Sequence, residues 1–290
     1  MCNINTLFIK NKLKNMTQFM MAVSSHSFTT NKDGEGIYIS STDTVHKSMQ
    51  KLNLFEFKNE IEKSNVLISH QRLSTSGFEL EYNHPFENEN FVMVHNGVIN
   101  QFKNGTGSDT FGFWEIFNKE FNKITSHQSR ENKVKRIIKK LFKKDKGSYS
   151  ILIYDRKTNN SFYFKGDNYP PIHFFENDEC LFVTTNEHNG TFLSMLTNKD
   201  FNELKIKDRT IYKITKGFKV QEIAKLAKQK QHFVYQKPKE TQHTLSTFAG
   251  YTCVDCGKQI HDIVYEQDSE KLCDNCWTHR FETHTLGVAQ

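Results

Sequence analysis

HPFENENFVMVHNGVIN occupies residues 84–100. Its middle, FVMVH at 91–95, reads as a short buried strand. The Asn96-Gly97 pair that follows is a strong hairpin-turn dipeptide, and between VMV and VIN a turn is the direct expectation. Strand-like segments recur on either side. NVLISH at 65–70 is one, and residues 148–154 and 161–164 read as a hairpin around DRKTNN. Residues 172–175, 181–184 and 210–214 look like further strands. Helical spacing appears between them. Residues 109–121 place Trp114, Phe117 and Phe121 on one face, and Val134, Ile137, Ile138, Leu141 and Phe142 recur likewise in the following lysine-rich segment. Strand pairs separated by helical blocks predict a layered α/β or α+β architecture.

The chain has 290 residues and 25 phenylalanines, enough for one large domain with a sizeable core plus a small one. No apolar run is long enough to span a bilayer. The start, MCNINTLFIKNKLKN, lacks a secretory pattern, because its apolar stretch is short and a lysine interrupts it. The expectation is a cytoplasmic protein without membrane contact. The net charge of +6 is modest, and part of it sits in KVKRIIKKLFKKDK at 133–146. Either a nucleic-acid surface or a solvated helix face opposite the apolar stripe accounts for those lysines.

Cys2 directly follows the initiator methionine. Removal of Met1 would leave an α-amine and a thiol on one residue. Such an amine titrates near ~7.7 and a thiol near ~8.5, so the amine can serve as base for its own nucleophile at neutral pH, directly or through a water.

Five blocks behind that cysteine carry a resemblance. They are KDGEGIYI at 32–39, SHQRLSTSG at 69–77, the 84–100 stretch, GSDT at 107–110 and GSYSILIYD at 147–155. In this order they resemble class II (N-terminal nucleophile) glutamine amidotransferases over roughly residues 2–215. The resemblance implies a four-layer α-β-β-α sandwich of the N-terminal nucleophile hydrolase type, glutamine as substrate and a Cys2 thioester as intermediate. Arg72 would hold the substrate carboxylate with two charge-assisted hydrogen bonds. Thr75 would add a hydrogen bond, and Asp109 would hold the ammonium. The Asn96 amide and Gly97 N–H resemble the family's oxyanion hole. Taken singly, Arg72 reads equally as a surface ion pair and Asp109 as a helix cap. The sequence departs from the family pattern at Asn3, where glycine is common, and at Phe111, where an acid usually follows Asp-Thr. The 97–108 segment is short.

From about Gln221 the pattern weakens to a polar stretch containing Pro238, although residues 223–228 could still form a short helix. Cys253, Cys256, Cys273 and Cys276 follow with C-x2-C-x16-C-x2-C spacing, that of a four-cysteine structural zinc site. Four thiolates close the tetrahedron, and so short a module depends on its metal. The expected organisation is an amidotransferase-like domain over 1–220, a linker over 221–250, a zinc ribbon or finger over 251–282 and a tail over 283–290. Such modules dock on protein or nucleic acid. No phosphate-binding loop follows residue 215, so a separate acceptor synthase is the expected user of the ammonia. The alternatives are a stand-alone amidohydrolase of γ-glutamyl or related amides and a degenerate zinc-dependent nucleic-acid or protein binder.

Overall fold

The computed structural model describes residues 2–11, 13–74, 77, 79–102, 108–124, 128–144, 147–167 and 171–227, together with short strands at 251–252, 259–260, 265–267 and 270–272. The chain divides into two compact units, Met1–Lys230 and Gln231–Gln290. Thr75 and the four zinc-pattern cysteines lie outside the described residues.

The first unit runs β1 (Asn3–Ile9), α1 (Met16–Phe28), β2 (Glu35–Ile39), β3 (Thr44–Ser48), α2 (Lys58–Ile61), β4 (Val66–Gln71), β5 (Phe86–Glu87) and β6 (Phe91–Ile99). It continues with α3 (Asp109–Lys123), α4 (Arg130–Leu141), β7 (Gly147–Asp155), β8 (Asn160–Lys165), β9 (His173–Glu176), β10 (Cys180–Thr184), α5 (His188–Thr197), β11 (Asn202–Leu204), β12 (Thr210–Ile214) and β13 (Val220–Lys225). One sheet has the order β11-β9-β10-β1-β4-β2-β3 and the other β13-β12-β8-β7-β6-β5. Every pairing is antiparallel.

Side-chain alternation along these strands sorts the apolar residues into three cores. On β1, Leu7 and Ile9 face α1 and α5, packing with Phe19, Met20, Val23 and Leu193. Ile4 and Phe8 face the second sheet and meet Val92, Val94, Leu152 and Tyr163. The far face of that sheet, with Phe91, Met93, Ile151 and Ile153, is covered by Phe113, Phe117 and Phe121 of α3 and by Val134, Ile137 and Ile138 of α4. The layers are therefore helix, sheet, sheet, helix, a mixed α+β fold whose sheets are buried on both faces.

The apolar stripe of the lysine-rich segment explains α4. Ser129 caps it by accepting from Asn132 N–H at 3.3 Å, and Lys139 and Lys140 in its last turn complement the helix dipole. Arg130 fixes its start by donating from Nε and Nη2 to the buried Asp155 carboxylate at 2.8 and 3.0 Å.

Two expectations change. The stretch from Gln221 begins as strand rather than linker or helix, because Val220–Lys225 pairs along β12 and lays Ile223 and Ala224 against the α3/α4 core. The Asn96-Gly97 pair makes no turn. It lies inside β6, which pairs residue for residue with β7 from Phe91↔Asp155 to Ile99↔Gly147.

In the second unit β14 (Tyr251–Thr252) pairs with β15 (Gln259–Ile260), and β16 (Tyr265–Gln267) pairs with β17 (Glu270–Leu272).

Phe142 is fully buried and touches Phe102, Phe113, Tyr149 and Phe164. Phe142→Ala is expected to destabilise the first unit by about 3–5 kcal/mol, read from the denaturant midpoint at unchanged slope. A loss within the range of a surface substitution would mean that this aromatic cluster is not packed as described.

Candidate active site

Strand register brings the sequence-predicted residues together. Asn3 pairs with Gln71, the last residue of β4, so Cys2 and Arg72 flank adjacent strand ends. Both continue the parity of Ile4, whose side chain faces the second sheet. Asn96 continues the parity of Val92 and Val94 on the opposing strand β6. Asp109 enters from the first turn of α3. One pocket at this end of the sandwich is lined by Cys2, Arg72, Asn96, Gly97 and Asp109, together with Leu73, Ser74, Tyr82, His84, His95, Val98, Ser108 and Thr110.

Cys2 is partly exposed and carries no disulfide. Its Sγ lies 3.5 Å from the Leu73 carbonyl, within reach of a weak S–H donation. Burial of the thiol pushes its pKa up, and the positive charges of the amino terminus and Arg72 pull the other way. Burial thus favours the neutral thiol over the thiolate.

Gly97 explains why the Asn-Gly pair stays in the strand. It has φ +122°, and a Cβ there would stand 2.0 Å from the Ser148 carbonyl oxygen of β7. Only glycine permits that approach. Asn96 is buried, and its Oδ1 has no hydrogen-bond partner among the described residues. The Asp109 carboxylate does not cap α3 in the usual manner, since the cap position is Ser108. It accepts instead from Ile99 N–H at 2.5 Å and Thr110 N–H at 2.8 Å. Arg72 is buried rather than on the surface, being only 5 % exposed.

Three buried histidines back the pocket. His70 Nε2 lies 3.1 Å from the His95 carbonyl oxygen and 2.9 Å from His84 Nδ1, joining the two sheets. His95 Nδ1 lies 2.7 Å from Thr110 Oγ1. Burial lowers the pKa of His70 to about 3 and of His95 to about 4, and holds His84 well below the ordinary value. Burial thus disfavours the charged form of all three, and each is engaged as a hydrogen-bonding group.

Sequence reasoning missed Ser74, Tyr82, Ser108 and Thr110. Three of them lie inside the quoted 69–77 and 107–110 blocks, and that membership was the available signal. Tyr82 had none, because its ring reaches the pocket by packing edge-to-face on Phe111, with centroids 5.5 Å apart. Phe111, where an acid was expected, packs behind Tyr82 and against Phe86.

No protein-family model and no curated protein matches the sequence. Solved structures do match the fold. Glutamine phosphoribosylpyrophosphate amidotransferase from B. subtilis, solved with ADP and GMP, aligns with 77% of this chain at 18% identity and a TM-score of 0.53. A structure described as the allosteric regulatory enzyme of purine biosynthesis aligns equally far at 18% identity and a TM-score of 0.54. In each case the alignment spans 49% of the other chain, so the likeness covers about half the length of these enzymes. At such identity it shows that the layered α+β fold is shared with amidotransferases.

Cys180 in β10 is fully buried, which pushes its thiol up to about 12. Iodoacetamide at about pH 8 should therefore label Cys2 well before Cys180 in the folded protein, and Cys2 labelling should accelerate as pH rises, because the thiolate is the nucleophile. Peptide mapping by mass spectrometry reads both sites. Faster labelling of Cys180 would contradict the burial assigned to β10.

Proposed function

We propose that the first unit is the glutaminase domain of a class II glutamine amidotransferase. The observation that carries this reading is the convergence of Cys2, Arg72, Asn96, Gly97 and Asp109 on one pocket, in a fold shared with amidotransferases. The arrangement suits a substrate with a carboxylate, an ammonium and a side-chain amide. Arg72 takes the carboxylate, Asp109 the ammonium, and Thr75 adds a hydrogen bond. Removal of Met1 gives Cys2 its own amine as base, matching a thiol that burial keeps protonated. The amine takes the thiol proton and sulfur attacks the amide carbon. The Asn96 amide and the Gly97 N–H receive the negative charge that forms on oxygen. Collapse of that intermediate expels ammonia with the proton returned by the amine, and water hydrolyses the thioester to glutamate.

The ammonia would serve a separate acceptor synthase. In the second unit, Cys253, Cys256, Cys273 and Cys276 would hold one structural zinc, a closed site that contributes folding energy rather than chemistry. In support, β14 lies beside β17, and the chain passes from their last residues directly into Cys253 and Cys273. The module would dock a protein or nucleic acid. We place the protein in the cytoplasm; no described helix is long and apolar enough to cross a membrane.

A glutamine-mimicking electrophile, such as a diazoketone analogue, should add once per chain to Cys2 in protein that has lost Met1. Intact mass and peptide mapping read this. An active preparation that retains Met1 throughout would rule out the amine as base. Asn96→Ala should lower kcat roughly 10²–10³-fold and change substrate binding far less, because the charge it meets exists only in the transition state. A normal kcat with a raised KM would instead assign Asn96 to ground-state binding.

A further inference from the structure

The Arg72 guanidinium is held from behind by Asn83, to which no step above gives a role. Arg72 Nη1 donates to Asn83 Oδ1 at 3.2 Å. The other end of the same amide is also fixed, since Asn83 Nδ2 donates to the Ser48 carbonyl at the end of β3 at 2.8 Å. The Asn83 backbone is tied as well. Its N–H donates to the Leu80 carbonyl at 3.1 Å, and its own carbonyl accepts from Lys47 Nζ at 3.2 Å. Asn83 is only 1 % exposed. Reversing the amide would set NH₂ against a guanidinium and an oxygen against a carbonyl, so Arg72 and Ser48 dictate one orientation.

Gly34 makes this contact sterically feasible. It has φ +150°, and a Cβ there would stand 2.1 Å from Asn83 Nδ2 and 2.7 Å from its Cγ. The same glycine's carbonyl accepts the Arg72 backbone N–H at 2.8 Å. One residue therefore anchors the Arg72 main chain and admits the side chain that anchors its head group. A second support comes from the Gly77 carbonyl, which accepts from Nη2.

The chemistry of the holder matters. An amide oxygen orients a guanidinium without neutralising it, whereas a carboxylate at position 83 would form a buried ion pair and compete with any anionic ligand. Arginine carries considerable rotamer freedom, and fixing the head group before binding removes that cost from the ligand. We infer that Asn83, admitted by Gly34, is a positioning residue that presets Arg72 for an α-carboxylate, and so sets the preference for amide substrates bearing that group. This rests on the reading of Arg72 as the carboxylate clamp.

The test compares glutamine with 4-aminobutanamide, which keeps the amine and the amide but lacks the α-carboxylate. Asn83→Ala and Gly34→Ala are each expected to lower the ratio of kcat/KM for glutamine to kcat/KM for 4-aminobutanamide about tenfold, the order given by one hydrogen bond to a charged group. Asn83→Asp keeps the acceptor but sets a competing charge against Arg72 and is expected to lower the ratio at least as far. The loss should fall on glutamine KM rather than kcat. Asn83→Asp is isosteric and keeps the comparison readable if Asn83→Ala lowers Tm too far. Equal losses on both substrates, with the ratio unchanged, would make Asn83 a merely structural residue and overturn the inference. A wild-type enzyme with no preference for glutamine, or with no turnover at all, would instead sink the reading of Arg72. The crystal structure of Asn83→Ala then decides separately: a guanidinium still in its original place overturns the positioning role, and a displaced one supports it.

Discussion

The apolar layer between the two sheets fixes the separation across which the pocket forms. Ile4, Phe8 and Ile68 on one side and Val92, Val94, Leu152 and Tyr163 on the other are almost completely buried. Where that layer ends, the same strand faces continue as Cys2, His70 and Arg72 opposite Asn96. The site is thus the polar end of a core. Its residues are spaced by side-chain packing and sheet register rather than by loop conformation. Cys2 from one sheet and Asn96 from the other keep their distance only if both sheets are held rigidly, which burial on both faces supplies.

Much of this was legible in the sequence where periodicity and packing agree. The hairpin around DRKTNN appears as β7 and β8, and the apolar stripe through Val134, Ile137 and Ile138 appears as the buried face of α4. Agreement failed where a local signal competed with long-range pairing. Asn96-Gly97 has the chemistry of a two-residue turn, yet nine paired positions along β7 override it. Residues 220–225 look polar because β13 lies at the edge of its sheet, where one strand face stays wet. Helix α1 gave little contrast for the opposite reason. MTQFMMAVSSHSF is covered on several sides and buries Thr17, Ser24 and Ser27 beside its apolar residues.

The candidate site divides in the same way. Cys2, Arg72, Asn96, Gly97 and Asp109 stood out because they lie in, or ahead of, sequence blocks whose types and order resemble a family pattern. Asn83 and Tyr82 did not, since their importance lies in what they touch. Asn83 matters through Gly34 and Arg72, residues 49 and 11 positions away. Tyr82 lines the pocket with its ring packed on Phe111. No spacing rule encodes such contacts, which arise only when β2, β4 and α3 are assembled.

The helix-facing side of the first sheet also holds the site. Along β1 this face is apolar at Leu7 and Ile9 and becomes polar at Asn5, one strand repeat nearer the pocket. There Asn189 Nδ2 donates to Asn5 Oδ1 at 2.9 Å, Asn5 Nδ2 to Gln71 Oε1 at 3.0 Å, and Gln71 Nε2 to Glu35 Oε1 at 2.9 Å. Ser24 Oγ and the Leu52 N–H complete the donors to that carboxylate, at 2.5 and 2.8 Å. The chain of bonds crosses β1, β4 and β2 from α5 to α1, and every donor along it points toward Glu35. Glu35 has no ion pair among the described residues and is held by these hydrogen bonds. Apolar side chains at these positions would tolerate small shifts between strands, whereas a chain of directional bonds is satisfied in one register only. That register places Gln71 against Asn3, and hence Arg72 beside Cys2. The polar chain behind the sheet therefore specifies the alignment that the apolar layer in front of it merely permits.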